Sequence, residues 1–183
     1  MIYSPREDSY LLEKQVKLYS KNKSVLDIGS GSGIQSLAAL NSGASSVTAS
    51  DISDEVISHL KKIVKDNNYP IKIIQSNLFS KIKSSFDLIV FNPPYLPEDK
   101  EEDKDSQLAT TGGKHGDEII LNFLKQAQAH LNKKGIILLL LSSLTPQDNI
   151  TKLLSQLNLS YSIISSQKLF FETLEVWEIR RFK

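Results

Sequence analysis

The sequence predicts an α/β fold, with a mostly parallel seven-stranded sheet, helices on both faces and one antiparallel strand near the carboxyl end. Two observations support this prediction. Short apolar runs of strand length alternate with segments whose apolar residues recur at helical spacing, which favours parallel strands joined by helices. Two β-rich runs then follow each other closely at the carboxyl end, where they can pair as an antiparallel hairpin.

The predicted elements begin with a strand at 24–28 that ends in a glycine-rich turn and leads into a helix at 34–40. A second strand at 47–50 is followed by Ser53, a residue type favoured at helix N-caps, and by apolar residues on one helical face. A low-complexity segment at 97–106 predicts a solvated loop. The other predicted elements are strands at 71–74, 86–91, 135–141, 161–165 and 174–179, and helices at 117–131 and 147–157.

Length and composition favour a single domain over residues 1–183, because the chain is too short for two domains with separate cores. The formal net charge of +1 gives no reason to expect a nucleic acid or a membrane surface as partner. Cysteine is absent, which excludes disulfides, cysteine-ligated zinc and a thiol nucleophile. The sequence shows neither a signal peptide nor an apolar run of the about eighteen residues that span a bilayer, so we expect a cytoplasmic location.

The turn after the first strand reads DIGSGSG over residues 27–33 and contains Gly29, Gly31 and Gly33. Glycines let the chain turn sharply and let a cofactor approach the backbone N–H groups at the start of the next helix. The third glycine comes one position too early for the dinucleotide fingerprint G-x-G-x-x-G, which disfavours a nicotinamide cofactor. Asp51 ends the second strand, where a carboxylate can accept hydrogen bonds from both hydroxyls of a ribose. An adenosine cofactor is therefore expected, and a charge at the start of the following helix is the alternative role of Asp51.

Asn77 and Leu78 follow the third strand, at the edge of the sheet where an adenine would dock. Asn77 could hydrogen-bond the ring or its amino group, and Leu78 could pack on the face of the ring. A turn asparagine followed by a core leucine is the structural alternative.

The tetrapeptide Asn92, Pro93, Pro94 and Tyr95 directly follows the fourth strand, and its two prolines stiffen the chain there. An amide or ring-attached amine has a delocalised lone pair and is a poor nucleophile towards a methylsulfonium. The side-chain oxygen of Asn92 and the carbonyl of Pro93 could accept its two N–H groups and stabilise the developing positive charge. Tyr95 could stack on the flat amide or base. The tetrapeptide therefore predicts methyl transfer to a planar nitrogen, and a stiff turn with an exposed tyrosine is the alternative.

With these motifs the chain resembles the protein glutamine-N5 methyltransferases that modify class 1 translation release factors, in the short archaeal and eukaryotic form of this HemK-like family. The resemblance covers nearly the whole chain, from an amino-terminal signature through the glycine-rich turn and FNPPYLP to the closing hairpin. The signature and a glycine pattern ahead of the next helix separate this family from other carriers of the tetrapeptide. Their residues are Tyr3, Pro5, Glu7, Asp8, Ser9, Leu11, Leu12, Gly112, Gly113 and Gly116.

The resemblance implies a Rossmann-like methyltransferase fold and S-adenosylmethionine as cofactor, with S-adenosylhomocysteine as product. It implies that residues 1–20 contact cofactor or substrate, and that Asn92 to Tyr95 hold the glutamine of a Gly-Gly-Gln motif. The family usually has aspartate where this chain has Asn77, which leaves that adenine contact open. The cofactor contacts carried over are Ser9, Asp27, Gly29, Gly31, Asp51, Asn77, Leu78 and Asn92.

The resemblance also implies partners: a class 1 release factor as substrate, and a small zinc-binding activator protein in a heterodimer. An activator is expected because this chain lacks the helical substrate domain of bacterial relatives. It would pair along the apolar strand at 71–74, near the expected edge of the sheet. Adenine-N6 and guanine-N2 methyltransferases of nucleic acids share the tetrapeptide and are an alternative, as are a lysine target and an inactive scaffolding subunit. A nucleic-acid enzyme should carry a basic groove, and the net charge of +1 gives no sign of one.

The histidines His59, His115 and His130 are scattered, without partners at metal-ligand spacing, so we expect no metal. We expect His115 to be a solvated loop histidine, and a place at the substrate mouth is the alternative. Trp177 is predicted to lie in the core or at an interface of the last strand.

Overall fold

The computed structural model describes residues 2–95 and 111–182, so the predicted loop at 97–106 lies outside the described residues. The strands are β1 (Ser24–Ile28), β2 (Ser46–Asp51), β3 (Ile71–Gln75), β4 (Phe86–Phe91), β5 (Leu131–Ser142), β6 (Leu159–Lys168) and β7 (Thr173–Arg181). The α-helices of the described residues are α1 (Glu7–Tyr19), α2 (Ile34–Asn41), α3 (Asp54–Asn67), α4 (Glu118–Ala127) and α5 (Gln147–Gln156). None of these helices is long and apolar enough to cross a membrane.

The seven strands form one sheet in the order β3-β2-β1-β4-β5-β7-β6. Strands β1 to β5 pair in parallel, whereas β7 runs antiparallel to both β5 and β6. The predicted fold class is confirmed, including the single reversed strand near the carboxyl end. Strand β3 forms one edge of the sheet, as expected for the apolar strand at 71–74, and β6 forms the other.

Hydrophobic cores cover both faces of the sheet because neighbouring residues of a strand point to opposite sides. Val25 of β1 packs into one core with α1, α2 and α3, whereas Leu26 packs into the other with α4 and α5. Trp177 of β7 is 1% exposed and stacks on Tyr161 with ring centroids 4.1 Å apart, so its predicted place in the core is confirmed. Helices on both faces leave the ends of the sheet open to ligands.

Helix α1 is an element that the sequence analysis does not predict. Its buried apolar face is formed by Leu11, Leu12 and Val16, at helical spacing, and it begins with the acidic residues Glu7 and Asp8. Acidic residues in a first turn are favoured by the positive end of the helix dipole. The apolar spacing could therefore have predicted this helix, but the segment was interpreted as polar because most of its residues are polar.

The predicted helix at 117–131 is too long at its carboxyl end. Helix α4 stops at Ala127, a 3-10 turn follows at Gln128–His130, and β5 already begins at Leu131. Leu131 pairs with Phe86 of β4, ahead of an irregularity in the ladder between these strands. This pairing with a distant strand ends the helical segment, which local spacing alone does not reveal.

Candidate active site

The carboxyl ends of β1 and β4 lie side by side, because these strands are neighbours in the parallel part of the sheet. Ile28 near the glycine-rich turn is paired in register with Phe91, the residue before Asn92. The strand order changes direction between β1 and β4, which opens a crevice for ligands at this edge. The glycine-rich turn and Asn92 therefore start at adjacent points of one crevice.

The glycine-rich turn has the backbone geometry that its composition predicts. Gly29, Gly31 and Gly33 have positive φ angles of 63, 49 and 84°. Gly33 is the N-cap of α2, and a Cβ atom there would lie 2.8 Å from Leu60 Cδ2. The left-handed backbone favours glycine at this position, whereas the end of the Leu60 side chain can move aside. The turn presents backbone at the start of α2, the geometry that a cofactor loop needs.

Asp27 lies near the end of β1 and is 2% exposed. Ser36 Oγ of α2 donates a hydrogen bond to Asp27 Oδ2 at 2.6 Å, and Ser30 Oγ donates to the Asp27 carbonyl at 2.9 Å. Burial raises the pKa of Asp27 to about 7, although the hydrogen bonds from Ser36 and Ser30 act in the opposite direction. Asp27 thus connects the glycine-rich turn to α2 through hydrogen bonds. Its contact with the cofactor stays a prediction.

Asp51 stands beside the glycine-rich turn and is partly exposed. Its Oδ2 accepts a hydrogen bond from the Gly31 N–H at 3.1 Å, and its Oδ1 accepts one from the Ser53 N–H at 2.9 Å. A carboxylate offers about four lone-pair positions, so two donors leave capacity for further hydrogen bonds. The arrangement can therefore accept the hydroxyls of a ribose at the turn.

Asn77 and Leu78 lie just after β3, where Asn77 is exposed and Leu78 is half-buried. Leu78 has a φ angle of 46°, which leucine rarely adopts, and Ser76 Oγ donates to its carbonyl at 2.8 Å. The Ser76 N–H donates to the Asp51 carbonyl at 2.8 Å, which joins this turn to the end of β2. Backbone strain of this kind concentrates at ligand sites, so the pair fits the predicted adenine position.

Asn92 directly follows β4, and its side-chain amide is held at one end only. Its Nδ2 donates a hydrogen bond to Asp8 Oδ2 at 3.0 Å. Its Oδ1 is buried and has no hydrogen-bond partner among residues 2–95 and 111–182. A buried acceptor without a donor is costly and uncommon, and it points to a ligand that supplies the donor. The free oxygen of Asn92 is thus suited to accept an N–H group of a substrate.

Asp8, at the start of α1, collects the donors of this part of the site. Asp8 is 5% exposed. Its carboxylate accepts hydrogen bonds from Tyr3 Oη at 3.3 Å and from Ser9 Oγ at 3.2 Å, in addition to the one from Asn92. Asp8 belongs to the family signature but was not predicted as a site residue. A carboxylate on the same helical face as Leu11 and Leu12 was the signal that could have singled it out.

Ser9 joins α1 to the cofactor side of the crevice. It is 3% exposed, and its carbonyl accepts a hydrogen bond from Gln35 Nε2 of α2 at 2.9 Å. Gln35 Oε1 is buried and, within the described part of the chain, has no hydrogen-bond partner. Gln35 was not predicted as a site residue, and its free acceptor is a second candidate for contact with a ligand. The first turn of α1 therefore contacts the loop after β4 through Asp8, and it contacts α2 through Ser9.

Tyr95 closes the tetrapeptide and packs against the hydrophobic core with its ring half-buried. Thr145 Oγ1 donates a hydrogen bond to the Tyr95 carbonyl at 3.2 Å and so ties the loop to the residues after β5. Burial raises the pKa of the Tyr95 phenol far above its ordinary value, and the negative charges of Asp8 and Glu172 make smaller contributions in the same direction. Tyr95 is therefore a neutral, flat surface and not a base.

Gly112 explains part of the glycine pattern that follows the tetrapeptide. A Cβ atom on Gly112 would lie 2.7 Å from the Pro94 carbonyl oxygen and would also collide with the Gly116 carbonyl. Backbone atoms cannot yield as a flexible side chain would, so only glycine lets this segment lie against Pro94. Gly112 thus supports the loop that carries Asn92.

His115, Asp117 and Glu118 bring their ligand-type atoms within 4.8 Å of one another at the start of α4. His115 Nδ1 and Glu118 Oε1 are already hydrogen-bonded at 2.9 Å, and Asn149 Nδ2 donates to Asp117 Oδ2 at 2.8 Å. These contacts use only part of the hydrogen-bonding capacity of the three side chains, and the prediction that no metal binds stays a prediction. His115 is exposed, as expected of a solvated loop histidine.

The fold and the crevice are those of a methyltransferase, and the family comparison agrees. Residues 8–170 match the model of the methyltransferase small domain family, and the chain belongs to this family. It is 39% identical over 177 residues to a protein of Methanocaldococcus jannaschii that is named, provisionally, a protein N5-glutamine methyltransferase. That match covers 96% of this chain and 89% of the relative.

Bacterial relatives and a solved structure extend this similarity. The release factor glutamine methyltransferase of Lactococcus lactis is 32% identical over 145 residues, which cover 74% of this chain but 54% of the relative. This chain therefore spans about half of that longer protein. The structure of the E. cuniculi Mtq2–Trm112 complex, described as responsible for methylation of the eRF1 translation termination factor, has a chain that matches with a TM-score of 0.75. The match is 23% identical and covers 98% of both chains, so it bears on the fold alone.

Proposed function

We propose that this chain transfers a methyl group from S-adenosylmethionine to the side-chain amide nitrogen of glutamine, within a Gly-Gly-Gln motif of a class 1 release factor. The observation that carries the proposal is Asn92 Oδ1, just after β4, which is buried and has no hydrogen-bond partner among the described residues. An acceptor of this kind suits a neutral NH2 group, which brings a donor and no charge. Relatives named as glutamine methyltransferases support the same assignment.

The chemistry needs orientation more than a base. The lone pair of an amide nitrogen is delocalised into the carbonyl group, so the nitrogen attacks only when it is held. Asn92 Oδ1 and the Pro93 carbonyl would each accept one N–H, which turns the lone pair towards the methyl group and stabilises the positive charge that develops on nitrogen. Tyr95, neutral and flat, would stack on the amide plane. The proton can leave after transfer.

The residues around the glycine-rich turn fit S-adenosylmethionine. Asp51 has acceptor capacity left for ribose hydroxyls, and Leu78 is half-exposed beside it for the adenine face. The cofactor would supply an electrophilic methyl group next to Asn92. Further proposed contacts are Ser9, Asp27, Gly29, Gly31 and Asn77.

The proposal of an activator partner is based on the exposed edge of the sheet and on the structurally similar Mtq2–Trm112 complex. Strand β3 is an edge strand with Ile73 and Ile74 only partly buried, so its unpaired backbone groups can extend the sheet into a second protein. The Mtq2–Trm112 structure is a complex of a similarly folded chain with another protein. A small zinc-binding activator along β3 is therefore part of the proposal.

One competition experiment tests the proposed substrate. The protein, with and without the candidate activator, is incubated with labelled S-adenosylmethionine, a class 1 release factor, its variant with the motif glutamine replaced by alanine, and structured RNA or duplex DNA. We expect label on the glutamine of the unaltered factor, located by mass spectrometry. Label on a nucleobase or on a lysine, with none on glutamine, would reject the proposal in favour of those alternatives.

A further inference from the structure

We propose that Asp8 is a positioning residue that fixes which end of the Asn92 amide faces the substrate. This inference rests on the proposed function of the site, because it explains how Asn92 comes to offer an oxygen rather than an NH2 group. The central contact is the hydrogen bond from Asn92 Nδ2 to Asp8 Oδ2 at 3.0 Å.

The two ends of an asparagine amide have nearly the same shape, so packing alone does not choose between them. If the amide turned over, its NH2 group would face the NH2 group of the target, and two donors cannot bind each other. A carboxylate has only acceptor atoms, so Asp8 accepts the Nδ2 end of Asn92 and repels the Oδ1 end. The Oδ1 atom is then the end left for the substrate, and no donor within residues 2–95 or 111–182 binds this buried oxygen.

The carboxylate of Asp8 is itself held in place. Tyr3 Oη lies 3.3 Å from both of its oxygens, and Ser9 Oγ donates to Oδ1 at 3.2 Å while Asn92 Nδ2 donates to Oδ2. Asp8 belongs to the first turn of α1, where the helix dipole favours negative charge. The orientation of Asn92 is therefore set by a helix on one face of the sheet and not by its own loop.

A negative partner should also make Asn92 a better acceptor. Hydrogen bonds in a buried chain polarise one another, so the charge on Asp8 increases the negative partial charge of Asn92 Oδ1. That oxygen faces a nitrogen that becomes positive during methyl transfer. The effect of Asp8 should consequently fall mainly on kcat, since the interaction strengthens in the transition state.

The test compares Asp8→Ala, Asp8→Asn, Asn92→Asp and the exchanged pair Asp8→Asn with Asn92→Asp. In the exchanged pair, the new amide on α1 can donate to one oxygen of the new carboxylate after β4 and leave the other oxygen free for the substrate. Asp66→Ala is the control, because Asp66 is an exposed acidic residue near the carboxyl end of α3 and is not assigned to the site. Thermal unfolding of every variant shows which of them are folded.

We expect Asp8→Ala to lower kcat at least tenfold with little change in the KM of either substrate, and Asp66→Ala to leave both parameters unchanged. The exchanged pair should recover at least tenfold over Asn92→Asp alone, which a purely structural role of Asp8 does not predict. A kcat of Asp8→Ala within twofold of the unaltered protein would overturn the inference. So would an exchanged pair that folds but is no more active than Asn92→Asp.

A measurement without substrate separates this inference from the proposed function. In protein labelled with 15N-asparagine, the side-chain NH2 signals of Asn92 should be shifted and protected from solvent exchange, and Asp8→Ala should abolish that protection. If the signals behave so but glutamine is not methylated, the proposed function fails and the kcat comparison is made with whichever substrate accepts the label. If the Asn92 signals do not respond to Asp8→Ala, the inference fails whatever the substrate is.

Discussion

Asp8 Oδ2 accepts a hydrogen bond from Asn92 Nδ2 at 3.0 Å, although the two residues are 84 positions apart in the chain. The contact ties the first turn of α1 to the loop after β4. Through Ser9 and Gln35 the same turn of α1 is also joined to α2, behind the glycine-rich turn. One helical turn therefore connects the part of the crevice that suits a cofactor with the part that suits an amide substrate.

Replacement of Asn92 by alanine should abolish turnover and spare cofactor binding. In the proposed mechanism Asn92 Oδ1 accepts a hydrogen bond from the nitrogen that becomes positive in the transition state, and loss of one such contact costs about 10²–10³ in kcat. Steady-state kinetics and calorimetric titration with S-adenosylmethionine measure the two effects separately. Turnover within a few-fold of the unaltered protein would remove Asn92 from its assigned role.

Replacement of Asp51 by alanine should weaken cofactor binding. Hydrogen bonds to a charged group contribute about 1.5–3 kcal/mol, so the Kd for S-adenosylmethionine should rise by roughly tenfold to a hundredfold. Calorimetry measures the change directly. Asp54→Ala is the control, since Asp54 is an exposed acidic residue in the first turn of the following helix. Equal Kd values for Asp51→Ala and the unaltered protein would contradict the ribose assignment.

Replacement of Gly112 by alanine should impair catalysis through the backbone. The new Cβ would collide with the Gly116 carbonyl and would lie 2.7 Å from the Pro94 carbonyl oxygen, so we expect the backbone around Pro94, in the loop that carries Asn92, to shift. We expect kcat to fall at least tenfold and overpacking to cost about 1–3 kcal/mol of stability.

Gly43→Ala is the matched control for Gly112→Ala. Gly43 has a φ angle of 81° and lies far from the crevice, and its nearest neighbour for a Cβ is Lys21 Cγ at 3.9 Å. The left-handed backbone should cost about 1–2 kcal/mol without a change in kcat. If both variants lost stability alike and kept kcat, the close approach to Pro94 would have no catalytic importance.

The buried carboxyl of Asp27 should make stability depend on pH. Its pKa is raised from 3.8 to about 7, so between these values the folded state binds a proton that the unfolded state has lost. This contribution is fully present below pH 3.8 and is lost as the pH rises through about 7. From pH 5 to pH 8 the folded protein should therefore lose on the order of 3 kcal/mol relative to Asp27→Asn. Urea unfolding of both proteins at the two pH values measures this difference, and parallel pH curves would contradict it.

The strands, their mostly parallel arrangement and the two loops of the crevice could all be predicted from the order of residues. These features are local: strand and helix periods lie within a few residues, and the glycines of 27–33 and the prolines of the tetrapeptide constrain their own backbone. Because parallel strands end at one edge, the position of each loop along the chain placed both loops at the same edge of the sheet, and the strand order then made β1 and β4 neighbours.

The tertiary structure alone decided how the site is oriented. Whether Asn92 offers its oxygen or its NH2 group depends on Asp8, and whether the Pro94 loop has room depends on Gly112. The burial that shifts the pKa of Asp27 is equally non-local. Such contacts join residues far apart in the chain, and they form only when α1 and the segment before α4 pack against the sheet, which no local spacing of residue types encodes.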